Sequence, residues 1–398
     1  MNPASRLWQA ARHVLPVVGF RFDRPLLLLQ SDDWGRAGLR DHEGFEGLRA
    51  AGINLGERPY DFYTLETATD VHALRDVLTQ HRDSTGRAAV LGMNFIVSNL
   101  DLPKMKIAGF QRVQQQLLAD GLPSGWSRDG LVDAYRDGIQ QGVFSPALHG
   151  TTHFCLPAVE RSLAAGGERA QLLRTLWEAG TPYIHWRMPW IGYEYWDPEQ
   201  PAARRFLPPQ LQQSFIGAAV GAFVKMFSRL PRSACAPGYR ADASTHKCWA
   251  HHGIHVAQNG PGAPAPPRID HDGLLQVSRT IEFEPAVDPG FSVNAAFAAA
   301  SRCFALGLPA VVSVHSINFH STLRDFRTAT LAALHEFHLA LRARHPNLLY
   351  LDDNDLYQLV QHGNFETASG RTTVKVTRTR FSRAELAGVK PVRESSMP

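Results

Sequence analysis

The stretch Leu26-Leu27-Leu28-Leu29-Gln30-Ser31-Asp32-Asp33-Trp34-Gly35 constrains this chain more than any other. Four consecutive leucines between Pro25 and the turn at Gly35 read as a strand buried on both faces, the kind found in a parallel sheet covered by helices. The same run ends in two adjacent carboxylates. Carboxylates at the rim of an apolar core are costly unless they are paired or bound to a cation. The strand end therefore predicts a charged site, and a metal ion is the simplest partner for it.

Buried-strand patterns recur at 26–30, 88–97, 144–148, 233–236, 254–258, 274–280, 310–314 and 348–351. Helical periodicity falls between them at 70–81, 130–142, 245–252, 292–305 and 328–344. Strands alternating with helices predict an α/β fold with a parallel sheet, and about eight strands favour a barrel over an open sheet. Two stretches look inserted, at about 98–128 and 154–230; the second holds a helical segment at 158–179 and an aromatic run over 183–196. The expected organisation is an N-terminal extension (1–25), the barrel (26–360) and a polar, basic C-terminal tail (361–398) whose 372–380 alternate like an edge strand. Residues 261–267, rich in Pro and Gly, read as a rigid loop.

The 398 residues carry 41 basic and 37 acidic side chains, a net charge of +4 that is scattered rather than striped. That argues against a nucleic-acid binder. No run approaches the ~18 apolar residues of a membrane span, and the N-terminus makes a poor signal peptide. The four cysteines, Cys155, Cys235, Cys248 and Cys303, form no C-x-x-C pair. They read as reduced thiols, and the expected location is cytoplasmic.

The chemistry-bearing residues follow the strands. His149-Gly150-Thr151-Thr152-His153 comes directly after 144–148; histidines at i and i+4 lie on one face of a helical turn, so both imidazoles can reach one ion. Two histidines and a carboxylate make a three-ligand site with an open position, the catalytic arrangement. A third strand, 310–314, ends at His315. A fourth runs into Pro237-Gly238-Tyr239-Arg240, whose backbone N–H groups could form an oxyanion hole. In a barrel, the carboxyl ends of parallel strands meet at one face, where active sites form.

The order Asp32-Asp33, then His149-x-x-x-His153, then Pro237-Gly238-Tyr239-Arg240, then His315 resembles the polysaccharide deacetylase (NodB-homology) superfamily of carbohydrate esterases. Tyr135 to Gly142, before the histidines, is similar to that family's helix and glycine turn. The Ala236-Pro237-Gly238-Tyr239-Arg240-Ala241-Asp242 run most resembles members acting on sugar amides in surface-glycan and lipopolysaccharide pathways, including deformylases of lipid-linked aminoarabinose. The resemblance implies a distorted (β/α)7-8 barrel, Asp32 as catalytic base, Asp33, His149 and His153 as ligands of a divalent metal with zinc the first choice, His315 as general acid, and Gly238 or Tyr239 as oxyanion donor. Arg240, Asn318 and Trp34 join these as candidate substrate contacts. The partner implied is a sugar or glycan. Cys235 stands where the family often has an arginine that orients the base; Arg240 or Arg279 could substitute. Gly150 stands where the family has a hydroxyl residue, with Thr151 or Thr152 available for its contact.

The reaction implied is hydrolytic removal of an acetyl or formyl group from an N-acylated or O-acetylated sugar or glycan precursor. His315 would need a carboxylate beside it to stay protonated, and Glu282, Glu284 and Asp272 are open to that role. The alternative is a glycan-binding protein on the same fold with impaired catalysis, which the Cys235 departure favours. The aromatic run either lines a glycan groove or forms the insertion's own small core.

Overall fold

The computed structural model describes residues 16–260, 265–367 and 370–387. The central sheet has ten strands: β1 (Leu26–Trp34), β2 (Leu91–Phe95), β3 (Phe144–Leu148), β4 (Ser233–Cys235), β5 (Val256–Asn259), β6 (Arg268–Ile269), β7 (Leu275–Ser278), β8 (Ile281–Glu282), β9 (Ala310–His315) and β10 (Leu349–Leu351). Their hydrogen-bonded order is β8-β9-β1-β2-β3-β4-β5-β7-β6, with β10 added to the start of β1. All these pairings are parallel except β6 with β7. The expected α/β fold is present, but the ladder does not close as a continuous barrel. One stave is broken: β7 pairs with β5, the chain steps across at Arg279 and Thr280, and β8 pairs with β9. Arg279 N–H donates to Asn259 O on one side and Thr280 N–H to Val311 O on the other, at 3.1 and 2.9 Å. This step carries the circuit from one edge of the sheet to the other.

All nine residues of β1 are buried. Leu27 and Leu29 pack outward into the main core beneath the helices, whereas Leu26 and Leu28 pack inward with Val256, Val277, Val311 and Leu349. Each buried leucine contributes about 1.5–3 kcal/mol. The register then stacks the interior in layers: Leu28 beside Val311, Gln30 beside Ser313, Asp32 beside His315. Going up the barrel, the interior passes from apolar to polar to charged. The helix Asp353–His362 closes the apolar end with Leu356 and Leu359.

The 158–179 segment forms two helices, Leu156–Ala165 and Gly167–Glu178, because Gly166 and Gly167 both take positive φ. A 19-residue helix, Pro209–Phe227, lies in the same inserted region. Val376–Phe381 pairs antiparallel with Val17–Phe22. Residues 261–264 of the Pro/Gly-rich loop and the last residues of the C-terminal tail lie outside the described residues. Among the described residues, no helix is long and apolar enough to cross a membrane. Cys155, Cys235, Cys248 and Cys303 are free.

Candidate metal centre and active site

On a regular strand Asp32 and Asp33 would point to opposite faces. Here they do not. The β1–β2 register shifts between Ser31 and Trp34, and Asp33 adopts φ +74. That left-handed conformation is uncommon outside glycine, with aspartate among the residues that tolerate it. It is pinned by Tyr63 and Ser316, whose hydroxyls donate to Asp33 O at 2.9 and 3.3 Å. The bulge turns both carboxylates toward one rim, a recurrent use of β-bulges beside active sites.

Asp33 Oδ1 lies 3.5 Å from His149 Nε2 and 3.2 Å from His153 Nε2. His149 Nδ1 donates to Cys235 O at 2.9 Å, so in the neutral ring Nε2 is a bare acceptor. His153 Nδ1 faces His185 Nδ1 at 3.3 Å, and burial pushes His153 well below the ordinary imidazole range. Asp33 Oδ1 is itself buried without a hydrogen-bond partner among the described residues. His149 Nε2 and Asp33 Oδ1 are acceptors facing each other in a dry site, with His153 Nε2 beside them, and this fits a cation between them. The ligand atoms lie within 4.8 Å of one another, and the donor set of two imidazoles and a carboxylate suits a divalent ion. The Nδ1 contacts hold the imidazoles as outer partners of metal-binding histidines do.

The two histidines are not on a helical turn. Residues 149–155 form a loop. Gly150 has φ +102, and a Cβ there would clash with Glu194 Oε2. Glu194 Oε1 accepts from the Thr151 N–H at 2.8 Å, so this carboxylate shapes the ligand loop. Gly150 is needed because Glu194 fills the side-chain space; Thr152 Oγ1 instead donates to Phe154 O. Burial pushes Glu194 up to about 7. Gly150→Ala is expected to cost about 1–3 kcal/mol through strain at this φ and to lower metal retention, which thermal melts with and without added zinc will show.

Asp32 faces the barrel interior. Arg279 Nη1 and Nη2 donate to its two oxygens at 2.7 and 2.6 Å, and Asn94 Nδ2 donates at 2.6 Å. Burial alone would raise this carboxyl, but Arg279, with smaller help from His149 and His315, holds it well below the usual carboxylate range. Arg279 supplies the arginine missing at Cys235. The other candidate, Arg240, is exposed with its guanidinium 4.8 Å from the Trp196 ring centroid. Arg279 also donates to Gln30, Gln258, Tyr239 and Ser313. Gln30 and Gln258 in turn donate to Asp353 at the far end of the barrel.

His315 sits beside Asp32 in register, and its Nδ1 bonds Glu284 Oε1 at 2.6 Å. Burial would lower this imidazole, but Glu284 outweighs it and raises the pKa to about 9. Of the three carboxylates open in the sequence, Glu284 is the one at His315.

Three candidate substrate contacts are elsewhere. Trp34 is fully buried, stacked on Phe319 and edge-on to Tyr135; its bulky ring follows the bulge into the core and supports the site from beneath. Asn318 is fully buried, donating to Glu284 Oε2 at 2.5 Å and accepting from Ala286 N–H, so it positions Glu284. Arg240 is turned out to solvent on the Trp196 face. Tyr239 has φ +57, and its N–H is committed to Ala236 O at 2.8 Å, which narrows the candidate oxyanion donor to Gly238. The aromatic run divides: Ile184, Met188, Ile191 and Tyr195 are buried, whereas His185 and Tyr193 stack on each other beside His153.

Arg36, Tyr63, Asn94, His185, Glu194 and Gln258 were not legible as site residues. Asn94 left a faint signal, being the lone polar residue within a buried strand; Gln258 left none.

No family model matches the sequence, and no curated protein matches it. Solved structures do. One is a family 4 carbohydrate esterase from Streptomyces lividans in complex with acetate, at 14% identity over 81% of this chain and 90% of that chain, TM-score 0.35. Another is a candidate polysaccharide deacetylase from Mycobacterium smegmatis, at 11% identity over 88% of this chain and 94% of that chain, TM-score 0.45. A third is an alpha-amylase from Thermotoga maritima, at 10% identity over 84% of this chain and 74% of that chain, TM-score 0.42.

Proposed function

We propose that the protein is a metal-dependent hydrolase that removes an acetyl or formyl group from an N-acylated or O-acetylated sugar or glycan precursor, in a reducing compartment. The observation that carries this reading is Asp33 Oδ1, buried without a hydrogen-bond partner among the described residues between the Nε2 atoms of His149 and His153, one residue away from a separate carboxylate paired in register with a histidine. Asp33, His149 and His153 would hold the ion, with zinc the first choice. When bound, it supplies Lewis acidity toward a carbonyl and lowers the pKa of water.

The chain's own groups divide the remaining work. Asp32 accepts a proton at Oδ2, which has spare acceptor capacity beside Arg279 Nη1. A carboxylate held so low is a weak base, so it suits a water that is already acidified. His315 holds the proton that the departing amine requires, on the nitrogen not bound by Glu284. The Gly238 amide, its neighbour Tyr239 N–H being committed to Ala236 O, is the donor this reading assigns to a developing oxyanion. Arg279 argues against the impaired-catalysis alternative, because the base is oriented despite Cys235.

Acetate or formate released from a panel of N-acyl sugars by the zinc-supplemented protein tests the reading; no release from any of them, with metal bound, would overturn it. The pH profile is a further expectation. His315 acts in its protonated form, so the rate should fall as pH rises through about 9. Glu284→Gln removes the raising partner and should move that falling limb toward the ordinary histidine value near 6.5. An unmoved limb would take the acid role away from His315.

A further inference from the structure

On the His153 side of the centre lies a small cavity whose wall is part apolar (Ile96, Leu100, Phe154 and Pro182) and part polar, the polar part formed by Arg36, Ser98, Asn99, Thr152, His153 and Tyr183. Three of its polar walls are already satisfied. Ser98 Oγ donates to Thr151 O at 2.8 Å, Asn99 donates to Gly35 O and accepts from Ala37 N–H, and Thr152 Oγ1 donates to Phe154 O. Arg36 differs. It is only 6% exposed, and its Nε is buried with no hydrogen-bond partner among the described residues. The nearest carboxylate oxygen, Asp33 Oδ2, is 3.4 Å from Nη2, longer than the ~2.7–2.9 Å of a good charge-assisted bond. Its guanidinium lies 3.8 Å from the Tyr63 ring centroid and 5.7 Å from that of Tyr183. Tyr63 and Tyr183 thus hold the guanidinium in place while its Nε–H stays without a partner among the described residues. A buried donor left unmade costs about 1–3 kcal/mol, so a well-folded site has a use for it.

The charges around the centre point the same way. Asp32 pairs with Arg279, Glu284 with His315 and Asp33 with Arg36. These three pairs cancel. A divalent ion then leaves the site two charges positive, and an anion brought beside Arg36 is attracted in this weakly screened interior.

We propose that the Arg36 cavity is a carboxylate-binding subsite, so that the substrate carries a carboxylate next to its scissile acyl linkage. A planar two-oxygen group matches the planar fork of one guanidinium. The carboxylate belongs either to the sugar or to the acyl group. The words "substrate" and "scissile" rest on the hydrolase reading above; the carboxylate site does not.

The test compares kcat/KM of the zinc-loaded protein for three compounds: N-acetylglucosamine, which is neutral; N-acetylglucosaminuronate, with the carboxylate on the sugar; and N-succinylglucosamine, with it on the acyl group. One of the acids should exceed the neutral compound by about 10–100-fold, the range for a charged hydrogen bond, and which one does so identifies the source. Arg36→Lys keeps the charge but loses the fork, and should collapse that ratio toward one while bound zinc per chain stays at the parent level. Equal kcat/KM for all three compounds, or a preference that survives Arg36→Lys, overturns the proposal. If no compound is hydrolysed, calorimetric titration with glucuronate and succinate, against glucose as control, separates the two readings. Arg36-dependent binding of either anion keeps the subsite while the hydrolase reading falls; binding of neither overturns the subsite as well.

Discussion

Asp33→Asn will leave the chain unable to retain a stoichiometric divalent ion after gel filtration, and will lower acyl release by about a thousandfold, since a Lewis-acid contribution of several kcal/mol corresponds to that factor at 1.36 kcal/mol per tenfold. The substitution is nearly isosteric, so the bulge at φ +74 can persist, asparagine being tolerant of that region. What is lost is the anionic oxygen that faces both imidazoles. His153→Gln should act in the same direction. Metal analysis by mass spectrometry and the release assay read the two effects separately. A variant that keeps its metal removes Asp33 from the ligand set whatever happens to the rate.

The second large effect is on stability. Arg279→Met will destabilise the fold by about 3–5 kcal/mol, the cost of leaving a buried charge without its partner. Arg279 is 1% exposed and Asp32 2%, and the guanidinium donates to Asp32, Gln30, Tyr239, Ser313 and Gln258 at 2.6 to 3.1 Å. The double variant Asp32→Asn/Arg279→Met should recover part of that loss, because the uncompensated carboxylate is gone, while remaining inactive. Denaturant midpoints with unchanged slopes give the comparison. A single variant that costs less than about 1 kcal/mol would mean that Asp32 is compensated by something other than Arg279.

These two residues show where reading the chain succeeded and where it stopped. Leu26 to Leu29 announced a doubly buried strand, and that strand lies inside the sheet, between β9 and β2. Asp33, His149, His153, Asp32 and His315 were legible because each follows directly on a buried run, and a parallel sheet must bring such ends to one rim. The i, i+4 argument for the histidines gave the right neighbours by the wrong geometry. No periodicity foretells that Glu194, forty-odd residues on, reaches back to hold the Thr151 amide. Trp34 was drawn into the site by adjacency in sequence, and packing turned its ring into the core; Asn318 is buried behind Glu284, where it holds that carboxylate. The choice of Glu284 among three carboxylates, and of Arg279 over Arg240, likewise required contacts between distant segments.

By itself, then, the sequence determined the alternation of buried strands and helices and the residue types at the strand ends, because burial periodicity and local turn chemistry are properties of neighbouring residues. Only the tertiary structure decided which charges pair. Asp32 and Asp33 are adjacent in the chain, yet one is committed to Arg279 across a broken stave and the other faces two imidazoles with Arg36 at its second oxygen. That division arises from a one-residue register shift in β1 and from a step in the barrel at Arg279, and both are set by how strands far apart in sequence meet, since pairing register and electrostatic compensation are energies of contact rather than of composition.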